Sequence, residues 1–500
     1  MIKTLIVLTQ FFYYCSSFAA ADWLKPVELR ELQSKKRVSI VFASQNLRSP
    51  VSMFGHTFLV FHDEVIPEAD AVALEFLGLT DKVYCAHTKA LLSHIQGEFR
   101  LTRYLLKKNQ YESEDRSLWV YELNLPKLEI ERIKTQIAVQ LNHQFEYTFV
   151  RKNCSYYIFN LVLAPETHKH GFPVYTLPRR TLRRLEELGY LKRQPLHAES
   201  TQLKLTNYFS ELTGCEEKAA KRIVAGEYLS DQDASPRAIR AATLALTYKI
   251  PREPDPKTRE QYYNTKKRLI TRLKRSTLWP IASLEEDPAH SYGDTSLRFG
   301  LSTDRPAFIL EGKLAQRDFY TSGNDGLSTS YLEVIKGKFK IDQDRLSIEQ
   351  FTIFKMENMT PGNDFREPFN RLLDLSYYKR IYQENRSLNE YVVRYGFGLS
   401  RRASQSTIGL MPYFGLRLFD LRDRLRGEVD LGVLLRLNFW LNNRISVEGS
   451  LYKYLATRMP VTYQIEFKLS AKLSPRWTLG LENTSSNGAN VSEIALVYGF

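Results

Sequence analysis

The sequence predicts a chain of mixed class: an α+β domain, then a helical connector, then an antiparallel transmembrane β-barrel of about 10–12 strands. Three observations lead there. The first residues have the layout of an export signal. Strand-like and helix-like segments follow one another up to about residue 190. From about residue 286 apolar and polar residues alternate, until the chain closes on Phe500.

At 500 residues the chain is too long for one hydrophobic core. A mean hydropathy of −0.35 excludes a bundle of membrane helices. The net charge of +14 favours anionic partners, either nucleic acid or an anionic lipid surface. An export signal removes nucleic acid from that choice.

Residues 1–21 supply that signal. Lys3 is the positive start and residues 5–14 are a short apolar run. Ser17, Ala19, Ala20 and Ala21 offer small residues for cleavage after Ala19 or Ala21. The run is shorter than the roughly 20 residues a spanning helix needs. Cys15 follows Tyr14 rather than a small residue, which argues against lipoprotein cleavage. The mature chain keeps Cys85, Cys154 and Cys215. An odd number in an oxidising compartment implies a free thiol or an intermolecular bridge, and a Cys85–Cys215 bridge leaving Cys154 free is one arrangement open to it.

The α+β domain is expected over residues 22–190. Residues 38–43, 57–61, 71–77 and 119–125 are rich in β-branched and aromatic residues and read as strands. Residues 128–144 read as a helix with Ile130, Ile133, Ile137 and Leu141 on one stripe, and a second helix opens near Cys154. The connector, residues 191–285, is polar and basic. Residues 219–225 and 236–248 are helical candidates, and Lys266, Lys267, Arg268, Arg272, Lys274 and Arg275 form either a solvated face or a contact for anionic head groups.

The barrel is expected over residues 286–500. Val461, Tyr463, Ile465, Phe467, Leu469, Ala471 and Leu473 alternate with polar residues; residues 429–439 and 445–451 repeat the pattern. Turn signals at Asn442-Asn443, Ser474-Pro475 and Asn487-Gly488 separate these runs. Strands of about 9–11 residues with one apolar face suit an outer-membrane barrel, although a soluble β-domain alternates equally well. Ile494, Leu496, Tyr498 and Phe500 decide for the membrane: a terminal aromatic on an amphipathic last strand resembles the signal that outer-membrane proteins present to the barrel-assembly machinery.

Two constellations carry chemistry. His56 follows Gly55 at the start of an apolar strand; alone it would read as a satisfied core histidine. Cys154, between Asn153 and Ser155, is placed at a helix N-terminus, where free N–H groups and the helix dipole favour a thiolate. Arg151 and Lys152 add positive charge. A histidine brought to such a thiol acts as base and then acid. The backbone N–H of Cys154, with Asn153 or Ser155, is a candidate oxyanion site. For the group that orients the histidine, Glu75 on the next strand is the first candidate, with His62, His87 and His94 as others.

Ser-Met-Phe-Gly-His-Thr-Phe-Leu from Ser52 to Leu59 and Asn-Cys-Ser-Tyr-Tyr from Asn153 to Tyr157 resemble the two hallmark motifs of the Lnb N-terminal periplasmic domain family. Arg116-Ser117-Leu118-Trp119, Phe145-Glu146-Tyr147-Thr148-Phe149 and Tyr175-Thr176-Leu177-Pro178 extend the likeness over roughly residues 35–190. That family resembles circularly permuted papain-like enzymes, a group that includes lecithin:retinol acyltransferase and the NlpC-type peptidases, with histidine ahead of cysteine. The resemblance implies a permuted papain-like fold, a Cys154 nucleophile with His56 as base, and supporting roles for Ser52, Gly55, Tyr147, Asn153 and Ser155. Its namesake is implicated in lipoprotein N-acylation, so an acyl chain would pass from phospholipid through a Cys154 thioester to an amine such as a lipoprotein N-terminus. The namesake's C-terminal membrane helices are replaced here by a barrel, which moves the domain to the outer membrane and weakens the choice of a lipoprotein as acceptor. No cofactor and no metal are expected, for no H-E-x-x-H or C-x-x-C occurs. Two other readings remain: a cysteine peptidase or amidase acting on cell-wall peptide, and a non-enzymatic barrel with a plug or binding domain.

Overall fold

The computed structural model describes residues 27–45, 54–64, 70–79, 93–149, 151–163, 176–192, 194–227, 233–273, 287–291, 294–302, 307–317, 329–343, 345–360, 369–383, 386–403, 406–421, 424–441, 445–456, 461–474, 476–487 and 489–499. The signal segment, Ser52, Cys85, His87 and Phe500 lie outside them. The chain forms two compact units, residues 1–204 with 287–289, and 205–286 with 290–500.

The first unit is built on a seven-stranded antiparallel sheet: β1 (Arg37–Ala43), β2 (His56–His62), β3 (Val72–Gly78), β4 (Ile95–Arg103), β5 (Leu118–Glu122), β6 (Gln144–Tyr147) and β7 (Leu196–Ala198). Its order is β6-β4-β3-β2-β1-β5-β7. Helices α1 (Leu29–Ser34), α3 (Lys127–Gln140), α4 (Cys154–Val162) and α5 (Pro178–Glu187) belong to it, as does α2 (Tyr104–Ser113). Strand residues alternate between faces, and both faces are buried. Ile40, Phe42, Leu59, Phe61 and Leu74 join the core that includes Ile158 and Leu161 of α4. Val41, Phe58, Val60 and Ala73 join the second core with Tyr104 and Tyr111 of α2. Burial on both sides explains why β1 and β2 read as continuous apolar runs.

Element edges differ from the sequence expectation in instructive places. The strand expected at 119–125 ends at Glu122, and Pro126 instead caps α3. Helix α3 stops at Gln140, because residues 144–147 leave it to pair with β4. Strand β4 and helix α2 are additions to the expected elements.

Helix α6 (Thr201–Ser210) runs from the first unit into the second; its second half, with α7 (Gly214–Val224), α8 (Pro236–Lys249) and α9 (Pro256–Arg272), gathers around Leu205, Ala220, Ile223, Ala242, Leu246 and Leu269. The side chains of Thr213, Ser235 and Asp255 accept first-turn N–H bonds of α7, α8 and α9, and Pro stands at the start of the latter two. No helix among the described residues is long and apolar enough to cross a membrane. Cys215, on α7, is an exposed free thiol, and Cys85 lies outside the described residues.

The rest is a closed antiparallel barrel of twelve strands, within the range the alternation predicts. In chain order these are β8 (Ser296–Ser302), β9 (Ala307–Arg317), β10 (Thr329–Asp342), β11 (Arg345–Thr360), β12 (Phe369–Gln383), β13 (Arg386–Ala403), β14 (Ser406–Leu421), β15 (Arg424–Trp440), β16 (Ile445–Ala456), β17 (Tyr463–Lys472), β18 (Trp477–Ser486) and β19 (Ala489–Gly499). β19 pairs with β8 and closes the ring. In β8, Leu297, Phe299 and Leu301 point outward while Ser296, Arg298 and Ser302 are buried inside. Val429, Leu431, Leu437 and Phe439 of β15 likewise face out, with Asp430 and Arg436 inside. An apolar outside and polar inside on a closed ring is the arrangement a bilayer demands, since no edge is left to expose backbone groups to lipid.

Candidate active site

The site forms where β2 parts from β3. Their ladder runs from Phe61↔Val72 to Leu59↔Leu74 and stops there, short of His56 and Thr57. Thr57, free of β3 at that point, and Ser155 flank the sulfur of Cys154 and favour its ionised form against burial. Ser155 Oγ lies 3.9 Å from Cys154 Sγ, and Thr57 Oγ1 and Ser155 Oγ are 2.9 Å apart.

Cys154 is the first residue of α4, as expected, and Asn153 is its N-cap. Asn153 Oδ1 accepts from the Tyr156 N–H at 3.2 Å. Its Nδ2 donates to the carbonyls of Phe149 at 2.9 Å and Thr176 at 2.6 Å. Asn153 therefore holds the helix start in place, and its amide is already engaged rather than free for an oxyanion. Tyr147, at the end of β6, is buried and stacks on Phe76 with centroids 6.2 Å apart. Burial, and then the charge of an ionised Cys154, push its phenol up.

His56 opens β2 opposite Ala43, so its ring lies on the α2 face, against Phe58 and Tyr111 at 6.1 and 6.3 Å. Gly55 turns the chain into the strand with φ +87°; a Cβ there would stand 2.5 Å from the Phe42 ring. Glu75 of β3 places Oε2 3.9 Å from His56 Nε2. The same oxygen lies 2.8 Å from Nζ of Lys107 on α2. Arg116 donates from Nε to the Ser44 carbonyl at 2.5 Å and from Nη2 to that of Ala43 at 3.2 Å, and sits 4.6 Å from the Tyr111 ring centroid. His62, at the far end of β2, has its own partners, Ser39 Oγ at 2.8 Å and the Glu64 carbonyl at 2.7 Å. His94 is exposed.

The structure thus brings Cys154, Asn153, Ser155 and Tyr147 to one side of the His56–Thr57 step, and His56, Gly55 and Glu75 to the other. No hydrogen bond joins His56 to Cys154, and His56 Nε2 is buried with no hydrogen-bond partner. Lys107 and Tyr111 join the site without having been expected there, and Thr57 and Arg116 were expected only as parts of motifs. A signal exists: Tyr104, Lys107 and Tyr111 fall on one face of α2 at helical spacing and are its buried residues.

Electrostatics departs from the sequence expectation. Burial raises the Cys154 thiol, and the donors from Thr57 and Ser155 offset this only in part. Burial, then the charges of Arg116 and Lys107, hold His56 well below its usual range. Arg151 is exposed and Lys152 pairs with Glu146 at 2.5 Å, so neither stands against the sulfur. At neutral pH the resting pair is therefore thiol and neutral imidazole, not thiolate and imidazolium.

Residues 27–187 match the profile of the Lnb N-terminal periplasmic domain, and residues 284–497 that of a domain of unknown function, DUF7840. No curated protein matches the chain. Among solved structures, a NanC porin is 9% identical, covers 41% of this chain and 98% of its own, and has a TM-score of 0.27. A KdgM porin is 11% identical over the same shares at 0.25. Omp33 of Acinetobacter baumannii is 10% identical over 44% of this chain and all of its own, at 0.23. The first domain is thus of the expected Lnb type. With the closed, lipid-facing ring, the chain is an outer-membrane protein with a periplasmic N-terminal domain.

Proposed function

We propose that the periplasmic domain is a cysteine acyltransferase that moves a fatty acyl chain from a phospholipid to an amine, with a lipoprotein N-terminus as the candidate acceptor. The observation that carries the reading is the placement of Cys154: first residue of α4, at the open end of the β2–β3 ladder, with the Ser155 hydroxyl 3.9 Å from its sulfur and Thr57, the neighbour of His56, bonded to that hydroxyl.

In the first half-reaction the sulfur attacks the ester carbonyl. The C–S bond forms, the ester C–O bond breaks, and the thiol proton passes through His56 to the departing lysophospholipid oxygen. In the second, the amine nitrogen attacks the thioester carbonyl. The C–N bond forms, the C–S bond breaks, and the amine proton returns to the sulfur through His56. A neutral imidazole is the form that accepts the first proton, which suits the lowered His56. The imidazole and the sulfur lie on opposite sides of the His56–Thr57 step in this structure, so the proton transfer requires the imidazole to turn towards the sulfur when substrate binds. The amphipathic barrel keeps the domain beside its lipid, and the family profile favours an enzyme of this kind over a passive module.

The test uses full-length protein in vesicles whose phospholipid carries a labelled acyl chain, with a primary-amine lipopeptide as acceptor. Wild type is expected to form the labelled amide, Cys154→Ser to form none, and His56→Ala to be slower by at least about a hundredfold. Labelled free fatty acid alone, or cleavage of a cell-wall peptide instead, would move the domain to the hydrolases. Amide formation that survives Cys154→Ser would end the proposal.

A further inference from the structure

We infer that the barrel is a sealed anchor rather than a channel, its lumen filled by ion pairs and tyrosines of its own wall. In a water-filled porin the inward side chains stay hydrated. Here the inward carboxylates Glu333, Glu390 and Asp430 are 0% exposed, and Asp374, Arg394 and Arg417 are 1% exposed. An ion taken out of water loses several kcal/mol of hydration, which only close opposite charge offsets.

That offset is present. Arg394 of β13 reaches Asp430 at 2.6 Å, Glu390 at 3.1 Å and Asp374 at 3.4 Å. Arg417 of β14 reaches Glu390 at 2.9 Å and Glu428 at 3.2 Å, pairs also with Asp430, and lies 4.5 Å from the Tyr454 ring centroid. Near the ring closure, Arg298 of β8 holds Glu482 at 2.5 Å and Glu493 at 3.1 Å, while Lys338 of β10 holds Glu493 at 2.7 Å.

Other contacts cross the lumen. Glu357 belongs to β11; it accepts from Tyr452 of β16 at 2.9 Å and forms an ion pair with Arg436 of β15 at 2.7 Å. Lys355 of β11 donates to the same Tyr452 hydroxyl at 3.2 Å. The Arg436 guanidinium stands 5.4 Å from the ring centroid of Tyr331 on β10. From β11 to β16, and from β10 to β15, is five steps around a ring of twelve, one short of diametrically opposite. A round ring of twelve strands spaced ~4.8 Å and tilted ~40° is about 24 Å across. One tyrosine, one glutamate and one hydrogen bond fall well short of that span, so the walls approach each other at this level. This closure concerns the barrel alone and is independent of the chemistry at Cys154.

The test is conductance of the full-length protein in planar bilayers, with folding of the barrel verified by its heat-dependent shift in gel mobility. Folded, inserted wild type is expected to give no stepwise current. In parallel, Thr352→Cys on β11 places a thiol at a fully buried lumen position bonded to Ser376. A small charged thiosulfonate is expected to modify the exposed Cys215, as an internal standard, and to leave position 352 unmodified over the same period. Current steps that scale with insertion, or modification of position 352 as fast as Cys215, would overturn the inference.

Discussion

Lys107→Met is expected to destabilise the N-terminal domain by about 3–5 kcal/mol, while Lys107→Met combined with Glu75→Gln recovers most of that loss. Both side chains are almost wholly buried and 2.8 Å apart. Removing the ammonium leaves a buried carboxylate whose nearest alternative partner is His56, 3.9 Å away. Removing both charges leaves no such burden. Pulse proteolysis of the wild type, each single variant and the double variant measures the coupling; equal losses in the single and double variants would contradict it.

Burial, then Arg116 and Lys107, also set the pH behaviour of His56. His56 is held below its unfolded value, so the folded domain resists a proton that the unfolded chain accepts. Stability from this source is full above about pH 6.5 and is lost as pH falls below it. Cys154 is raised, so wild-type alkylation by iodoacetamide is expected to be slow at neutral pH and to level off at a higher pH than that of a free thiol. In Lys107→Met one of the two charges that oppose the imidazolium is gone, while burial and Arg116 remain, and Glu75, 3.9 Å from the ring, loses its competing partner. A thiolate–imidazolium pair then becomes accessible, and alkylation at pH 7 is expected to rise by about tenfold, because the thiolate is the reacting form. An unchanged profile in a folded variant would show that Lys107 does not reach the histidine.

Gly55→Ala is expected to cost at least about 3 kcal/mol and to abolish the site as well. Two effects coincide. The φ of +87° lies where side chains are strained, and the new Cβ would meet the Phe42 ring at 2.5 Å and the Ala43 carbonyl at 2.8 Å. Neither neighbour yields easily, because Phe42 is core and Ala43 is in the ladder opposite His56. Thermal unfolding of the variant checks the first effect, and loss of Cys154-dependent acyl transfer the second. A variant of native stability would contradict the strain argument.

What can be read from the sequence, and what cannot, follows from period. The barrel is legible because lipid outside and polar groups inside force a two-residue alternation on every strand, as in Val429–Asp430–Leu431. The two motifs are legible because a turn glycine and an N-cap asparagine are local features. Strand β4 does alternate, Ile95, Gly97, Phe99 and Leu101 against Gln96, Glu98, Arg100 and Thr102, so its period is there to be read. Helix α2 is obscured: its inner face carries Lys107, and a buried lysine looks solvated until its carboxylate partner, 32 positions earlier in sequence, is seen beside it. The thiol's state is not legible at all, because helix dipole and nearby lysines are sequence-local, whereas burial comes from the sheet around Cys154.

The most direct measurement of the central claim is the intact mass of full-length protein purified from membranes at mildly acidic pH without thiols. The account predicts a fatty-acyl adduct that maps to Cys154, is released by hydroxylamine, and is absent from Cys154→Ala and from His56→Ala. A Cys154 that carries no acyl group under any phospholipid supply, or an adduct that persists in Cys154→Ala, would contradict it.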